Sequence, residues 1–116
     1  MSRFAIEVED RSFPHQIIVR LIGEADLASA SRFSEIVLDG VVRRRPSEIV
    51  LDLSSLTFLD STGLYGLIQL NEAARSGGTD VVFWRPSEAV IRLIDIAGVR
   101  EQFTLSDEQA PPPDGS

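Results

Sequence analysis

The chain has 116 residues, 43% of them hydrophobic, and a net charge of −7 from 11 basic and 18 acidic side chains. That length suits one core and is short for two, and the acidic balance argues against a nucleic-acid backbone as a direct partner. Cysteine and lysine are both absent, which excludes disulfides, thiolate ligands, a phosphate-gripping P-loop lysine and a Schiff base.

Taken in chain order, "FAIEV" (4–8) and "QIIVRLI" (16–22) read as two strands. The segment "DRSFPH" between them has turn composition and holds the single histidine, His15, which cannot form a metal site alone. No metal and no cofactor is expected. From Asp26 the pattern changes period: Leu27, Ala30, Phe33, Ile36 or Val37, and Val41 recur at helical spacing. Asp26 is placed to cap that helix. Gly40 and the run Arg43, Arg44 and Arg45 weaken its far end, and the three arginines read as a solvated face. "EIVLDL" (48–53) is a strand covered on both sides. The stretch 57–70, "TFLDSTGLYGLIQL", then enters a helix with Leu64, Leu67, Ile68, Asn71 and Ala74 on one side and "SGG" (76–78) as its stop.

"DVVFW" (80–84) is a further buried strand. "RPSEAVIRLIDIAG" is a helix with Pro86 and Ser87 at its entrance, Val90, Ile91, Ile94 and Ala97 facing inward, and Gly98 as terminator. "QFTL" (102–105) offers a short last strand. The pattern predicts a small α/β domain over 1–105, with a mainly parallel sheet of four to five strands, an edge β-hairpin and three to four helices. Residues 106–116 are acidic and proline-rich and predict a loose tail. With no apolar run of about 18 residues and no basic-then-apolar leader, a cytoplasmic protein without membrane contact is expected.

Ligands and partners of open parallel sheets gather at the carboxyl ends of the strands. Asp26, Asp60, Ser61 and Thr62 are drawn to that edge, with Trp84 as a neighbour or, more simply, as core. A hydroxyl nucleophile there lacks a base, since His15 belongs to the opening hairpin, so no catalytic residues are assigned. Two readings of "DSTG" remain. Asp60, Ser61 and Thr62 supply oxygens that cap a helix, or one hydroxyl is a phosphorylation site at an exposed helix entrance, where a dianion is tolerated. Taken alone, the four residues favour the cap. Gly63 leaves room for a close approach to the backbone, and Tyr65, about 100° round the helix from Leu64, is an exposed contact anchor.

The segments "LIGEADLASASRF", "EIVLDLSSLTFLDSTGLYGLIQL" and "PSEAVIRLIDIAGVREQFTL" resemble the STAS domain family, in particular bacterial anti-sigma factor antagonists. Gly23, Glu24 and Asp26 match its Gly-Glu-x-Asp segment, and Asp60 to Gly63 its Asp-Ser-Ser/Thr-Gly turn. The resemblance covers about residues 4–105. It implies a partner-switching protein, not an enzyme: the unmodified form binds an anti-sigma factor with a histidine-kinase-like ATPase fold and frees a sigma factor. That partner brings ATP and magnesium and phosphorylates the turn, which lowers affinity; a phosphatase reverses the mark. The resemblance puts the acceptor at Thr62, with Ser61 second, and partner contacts at Asp26, Asp60, Ser61, Thr62, Gly63 and Tyr65. A monomer or weak dimer is expected. The alternative it leaves is a STAS regulatory subunit of a transporter, lipid-trafficking or stressosome assembly.

Overall fold

Two long strands open the chain. β1 (Phe4–Ser12) and β2 (His15–Ala25) pair antiparallel from Phe4↔Gly23 to Ser12↔His15. The computed structural model describes residues 4–12, 15–25 and 34–106. Both strands run further than the turn composition of "DRSFPH" suggests, and His15 is the first residue of β2 instead of a turn residue. Polar side-chain contacts accompany the extension. Within β1 Arg11 Nε lies 2.6 Å from Glu9, and across the strand pair Arg20 Nη2 reaches the same carboxylate at 3.2 Å and His15 Nε2 sits 3.5 Å from Asp10. Such pairs support a ladder that apolar alternation alone would not reveal. The Arg11 guanidinium, helped by Arg20, holds the Glu9 carboxyl below its ordinary value, although desolvation pushes the other way.

β3 (Glu48–Asp52) joins β2 in parallel, and β5 (Asp80–Trp84) joins β3. β4 (Leu56–Leu59) was not expected. It pairs in parallel with the far end of β2, Gly23↔Leu56 and Ala25↔Leu59, across a register shift between Gly23 and Glu24. Asp52 manages the transfer from β3 to β4. Its Oδ1 accepts from Ser54 N at 3.0 Å and from Ser54 Oγ at 2.6 Å, folding the chain back after Leu53. Gly23 N then donates to Ser55 O at 3.0 Å and starts the new pairing. β6 (Leu105–Ser106) closes the order against β5. The sheet therefore has six strands among the described residues, not four to five, in the order β1-β2-β3-β5-β6 with β4 also on β2. It is mainly parallel with an antiparallel edge, as the pattern predicts. β6 includes Ser106, which composition assigns to the tail, and starts later than "QFTL" implied. Residues 100–102 form a 3₁₀ turn instead, and Phe103 stacks on Phe83 with centroids 4.5 Å apart.

The helices cover one face. A π-helical segment, Ser34–Val41, buries Val37 and Val41 and passes into a 3₁₀ turn at Val42–Arg44. A regular α-helix was expected here; Gly40 lowers the cost of the looser winding, and the tightening after it ends the element. α1 (Ser61–Ser76) buries Leu64, Leu67, Leu70, Asn71 and Ala74, while Ile68 is half-buried. α2 (Glu88–Ala97) is capped by Ser87, whose Oγ accepts from Val90 N at 3.3 Å, and ends at left-handed Gly98. It buries Val90 and Ile94; Ala97, expected inward, is exposed because the ten-residue helix turns its last residue off the core.

Parity along β2 separates the two faces. Ile17, Val19 and Leu21 join Ile49, Leu51, Val81 and Phe83 beneath the helices, whereas Ile18 clusters with Val50 and Trp84 on the reverse face. Each large apolar side chain so covered contributes about 1.5–3 kcal/mol relative to exposure. No described helix is long and apolar enough to cross a membrane. Among the described residues no group of three His, Asp or Glu side chains converges as a metal site.

Candidate functional site at the entrance of α1

The entrance of α1 is built by β4 and the end of β2. Asp60 follows β4 in extended conformation, φ −98° and ψ −177°, and its Oδ1 accepts from Gly63 N at 2.9 Å. Its carbonyl accepts from Leu64 N at 2.9 Å, the first helical bond. One of the amides that a helix start leaves open, that of Gly63, is thereby satisfied. The capping reading of Asp60 is thus realised. Asp60→Ala should lower stability by about 1 kcal/mol in urea unfolding, while Asp60→Asn, which keeps the acceptor, should lose much less.

Ser61 and Thr62 are the first two helical residues. Ser61 is exposed and Thr62 half-buried. Neither uses its side chain to cap; that work falls to Asp60. The structure also gives Gly63 a specific reason. A Cβ at this position would lie 2.5 Å from Leu59 Cδ1 and 2.9 Å from the carbonyl oxygen of Ala25. The missing side chain therefore faces inward, toward the end of β2, and the glycine lets helix and strand touch. Asp60 N donates to the same Ala25 carbonyl at 3.3 Å. Asp26 lies outside the described residues, but the residue before it is one of the turn's supports.

Apolar surface flanks the hydroxyls. Tyr65 is 60% exposed and Phe58, on β4, is 46% exposed. Tyr65 was expected outward; Phe58 was missed because β4 itself was missed. Trp84 is not part of this group. It is 8% exposed and packs with Ile18 and Val50 on the face away from the helices, with Arg85 5.6 Å over its ring. The site thus gathers an acid, two hydroxyls and two outward aromatic rings at a helix entrance. Exposed aromatic rings beside polar groups suit contact with a second macromolecule.

The family model for the STAS domain matches residues 5–110. An anti-sigma F factor antagonist of Paenibacillus polymyxa is 26% identical over 104 residues, covering 90% of this chain and 89% of that protein. Among solved structures, an anti-sigma factor antagonist from Mycobacterium paratuberculosis superposes with a TM-score of 0.81 at 27% identity, covering 92% and 88% of the two chains. The unphosphorylated form of the antagonist SpoIIAA superposes at 0.69 with 18% identity over 92% of this chain and 90% of that one, a likeness of fold. SpoIIAA has also been solved in a phosphorylated form, from Bacillus. With nearly the whole chain matched and the βα order and sheet reproduced, this protein belongs to the STAS domain family.

Proposed function

We propose that the chain is an anti-sigma factor antagonist whose α1 entrance docks on an anti-sigma factor, and that phosphate on a hydroxyl of that turn abolishes docking. The carrying observation is the exposed Ser61 at the first position of a helix whose capping is done by Asp60. Its hydroxyl is free of a structural duty and accessible to a kinase. Relatives that bear the antagonist name, and one that exists in phosphorylated and unphosphorylated forms, support the reading.

In this mechanism the partner has a histidine-kinase-like ATPase fold and supplies ATP and magnesium. The acceptor oxygen bonds the γ-phosphorus, the bond to ADP breaks, and the hydroxyl proton leaves to a base of the kinase. Exposure ranks Ser61 ahead of Thr62 as acceptor, the reverse of the order drawn from resemblance. The new group adds about −1.5 to −2 charges. It arises at the positive end of the α1 dipole, so the helix tolerates it. A partner surface that had fitted neutral Ser61, Tyr65 and Phe58 meets a hydrated dianion beside Asp60 instead. Affinity falls without unfolding, and a phosphatase restores it.

The test is incubation with the candidate anti-sigma kinase and ATP, with mass spectrometry of the parent, Ser61→Ala and Thr62→Ala chains. One phosphoryl group is expected on the parent and on Thr62→Ala, and none on Ser61→Ala. Calorimetry should show the phosphorylated chain binding the partner at least about tenfold more weakly, the loss of roughly 1.4 kcal/mol or more. A chain that accepts no phosphate on either hydroxyl, or binds equally well with it, contradicts the proposal.

A further inference from the structure

The opposite end of α1 carries a second feature, independent of the switch turn. An open cavity of about 320 Å³ is lined by Val42, Arg43, Arg45, Ala73, Ala74 and Thr79. Arg44, between the two arginines, pairs with Asp10 at 3.3 Å. Neither the Arg43 nor the Arg45 guanidinium has an ion-pair or hydrogen-bond partner among the described residues. In a chain of net charge −7, two guanidinium groups without a paired carboxylate among the described residues line one cavity.

The turn that presents them is held firmly. Arg45 is left-handed, φ 49° and ψ 56°, and its N–H donates to Val42 O at 3.0 Å. A residue with a side chain resists that conformation. Pro46 follows, buried, and its carbonyl accepts from Thr79 Oγ1 at 2.8 Å; Ser47 N donates to His15 O at 2.8 Å. The nearby C-terminal end of α1 is the negative end of the helix dipole, which the two arginines have to outweigh. The carbonyls of Ala73, Ala74 and Arg75 already accept from the amides of Gly77, Gly78 and Thr79.

We infer that this cavity binds a small molecule bearing a phosphate monoester, gripped by Arg43 and Arg45. Two guanidinium forks match the charge and oxygen geometry of a dianion, where a monocarboxylate would satisfy only one. Val42 and Ala73 give the uncharged remainder of the ligand an apolar floor, for which inorganic phosphate has no use.

The experiment is a ¹H–¹⁵N NMR titration at constant ionic strength with phenyl phosphate, inorganic phosphate and acetate. Saturable shifts are expected at the amides of Arg43, Arg45 and Thr79, tightest with phenyl phosphate, weaker with inorganic phosphate and absent with acetate. Arg43→Gln and Arg45→Gly should each weaken phenyl phosphate by roughly tenfold or more. Arg45→Gly should keep or raise the thermal midpoint, since glycine accepts a positive φ, so lost binding there is not lost folding. Ser61→Ala should bind like the parent. Shifts that never saturate, acetate binding as well as phosphate, or undiminished affinity in Arg45→Gly would each overturn the assignment.

Discussion

Gly63→Ala is expected to destabilise the protein by roughly 1–2 kcal/mol, although alanine is the better helix former by about 1 kcal/mol. Two contacts decide the sign. Leu59 Cδ1, 2.5 Å from the added methyl, belongs to a side chain that can rotate away at modest cost. The Ala25 carbonyl, at 2.9 Å, belongs to the backbone and is held by Asp60 N and by strand pairing to β4. It yields only if β2 and the α1 entrance move apart. Gly63→Val, with two more carbons in the same gap, should cost more. Thermal unfolding is the measurement, with a fall in midpoint of roughly 5–15 °C expected for alanine. An unchanged midpoint would mean that the close approach of α1 to β2 is not maintained in solution.

Asn71→Ala should cost more still, about 2–3 kcal/mol, because it breaks a hydrogen-bond relay anchored on a buried side chain instead of a single contact. Asn71 is 4% exposed on α1. Its Nδ2 donates to Gln102 O at 2.8 Å, and its Oδ1 accepts from Arg75 Nε at 3.0 Å. Arg75 in turn reaches Val81 O at 3.2 Å and Thr104 Oγ1 at 2.8 Å. The relay ties the middle of α1 to β5 and to the segment leading into β6. Alanine leaves the Gln102 carbonyl without its donor and loosens the arginine. Urea unfolding should show the loss, and amide hydrogen exchange should show earlier opening of residues 102–106 than of β2 or β3. Uniform opening throughout would count against the relay as a local tie.

These two residues also mark the limit of what the sequence discloses. α1 is legible because its signals are local: apolar residues three and four apart, an aspartate before the first turn and glycines after the last. The flanking strands β3 and β5 are legible as short apolar runs rich in branched side chains. β4 is not. Leu56 and Leu59 are buried, but Thr57 and Phe58 between them are both exposed, so alternation fails, and the pairing depends on a bulge in β2 far away in the chain. Gly63 reads as a helix-entrance glycine with space around it; only the arrival of Ala25 shows that the space is filled. Asn71 fits the apolar stripe by position, yet the acceptor of its Nδ2, the Gln102 carbonyl, lies on a 3₁₀ turn that no periodicity predicts. At the candidate site, Asp60, Ser61 and Tyr65 were readable from the motif, while Phe58 and the support from β2 needed the fold.

The contact between Gly63 and Ala25 has a practical corollary for reagents. A synthetic fragment containing residues 57–70 would carry the acceptor hydroxyls and the capping acid, but not the strand end that fixes where they stand. At that length a helix is marginal in water, so the fragment would be a poor decoy for a kinase or an antibody that reads shape. Inhibitors meant to imitate this surface need the whole fold as their scaffold.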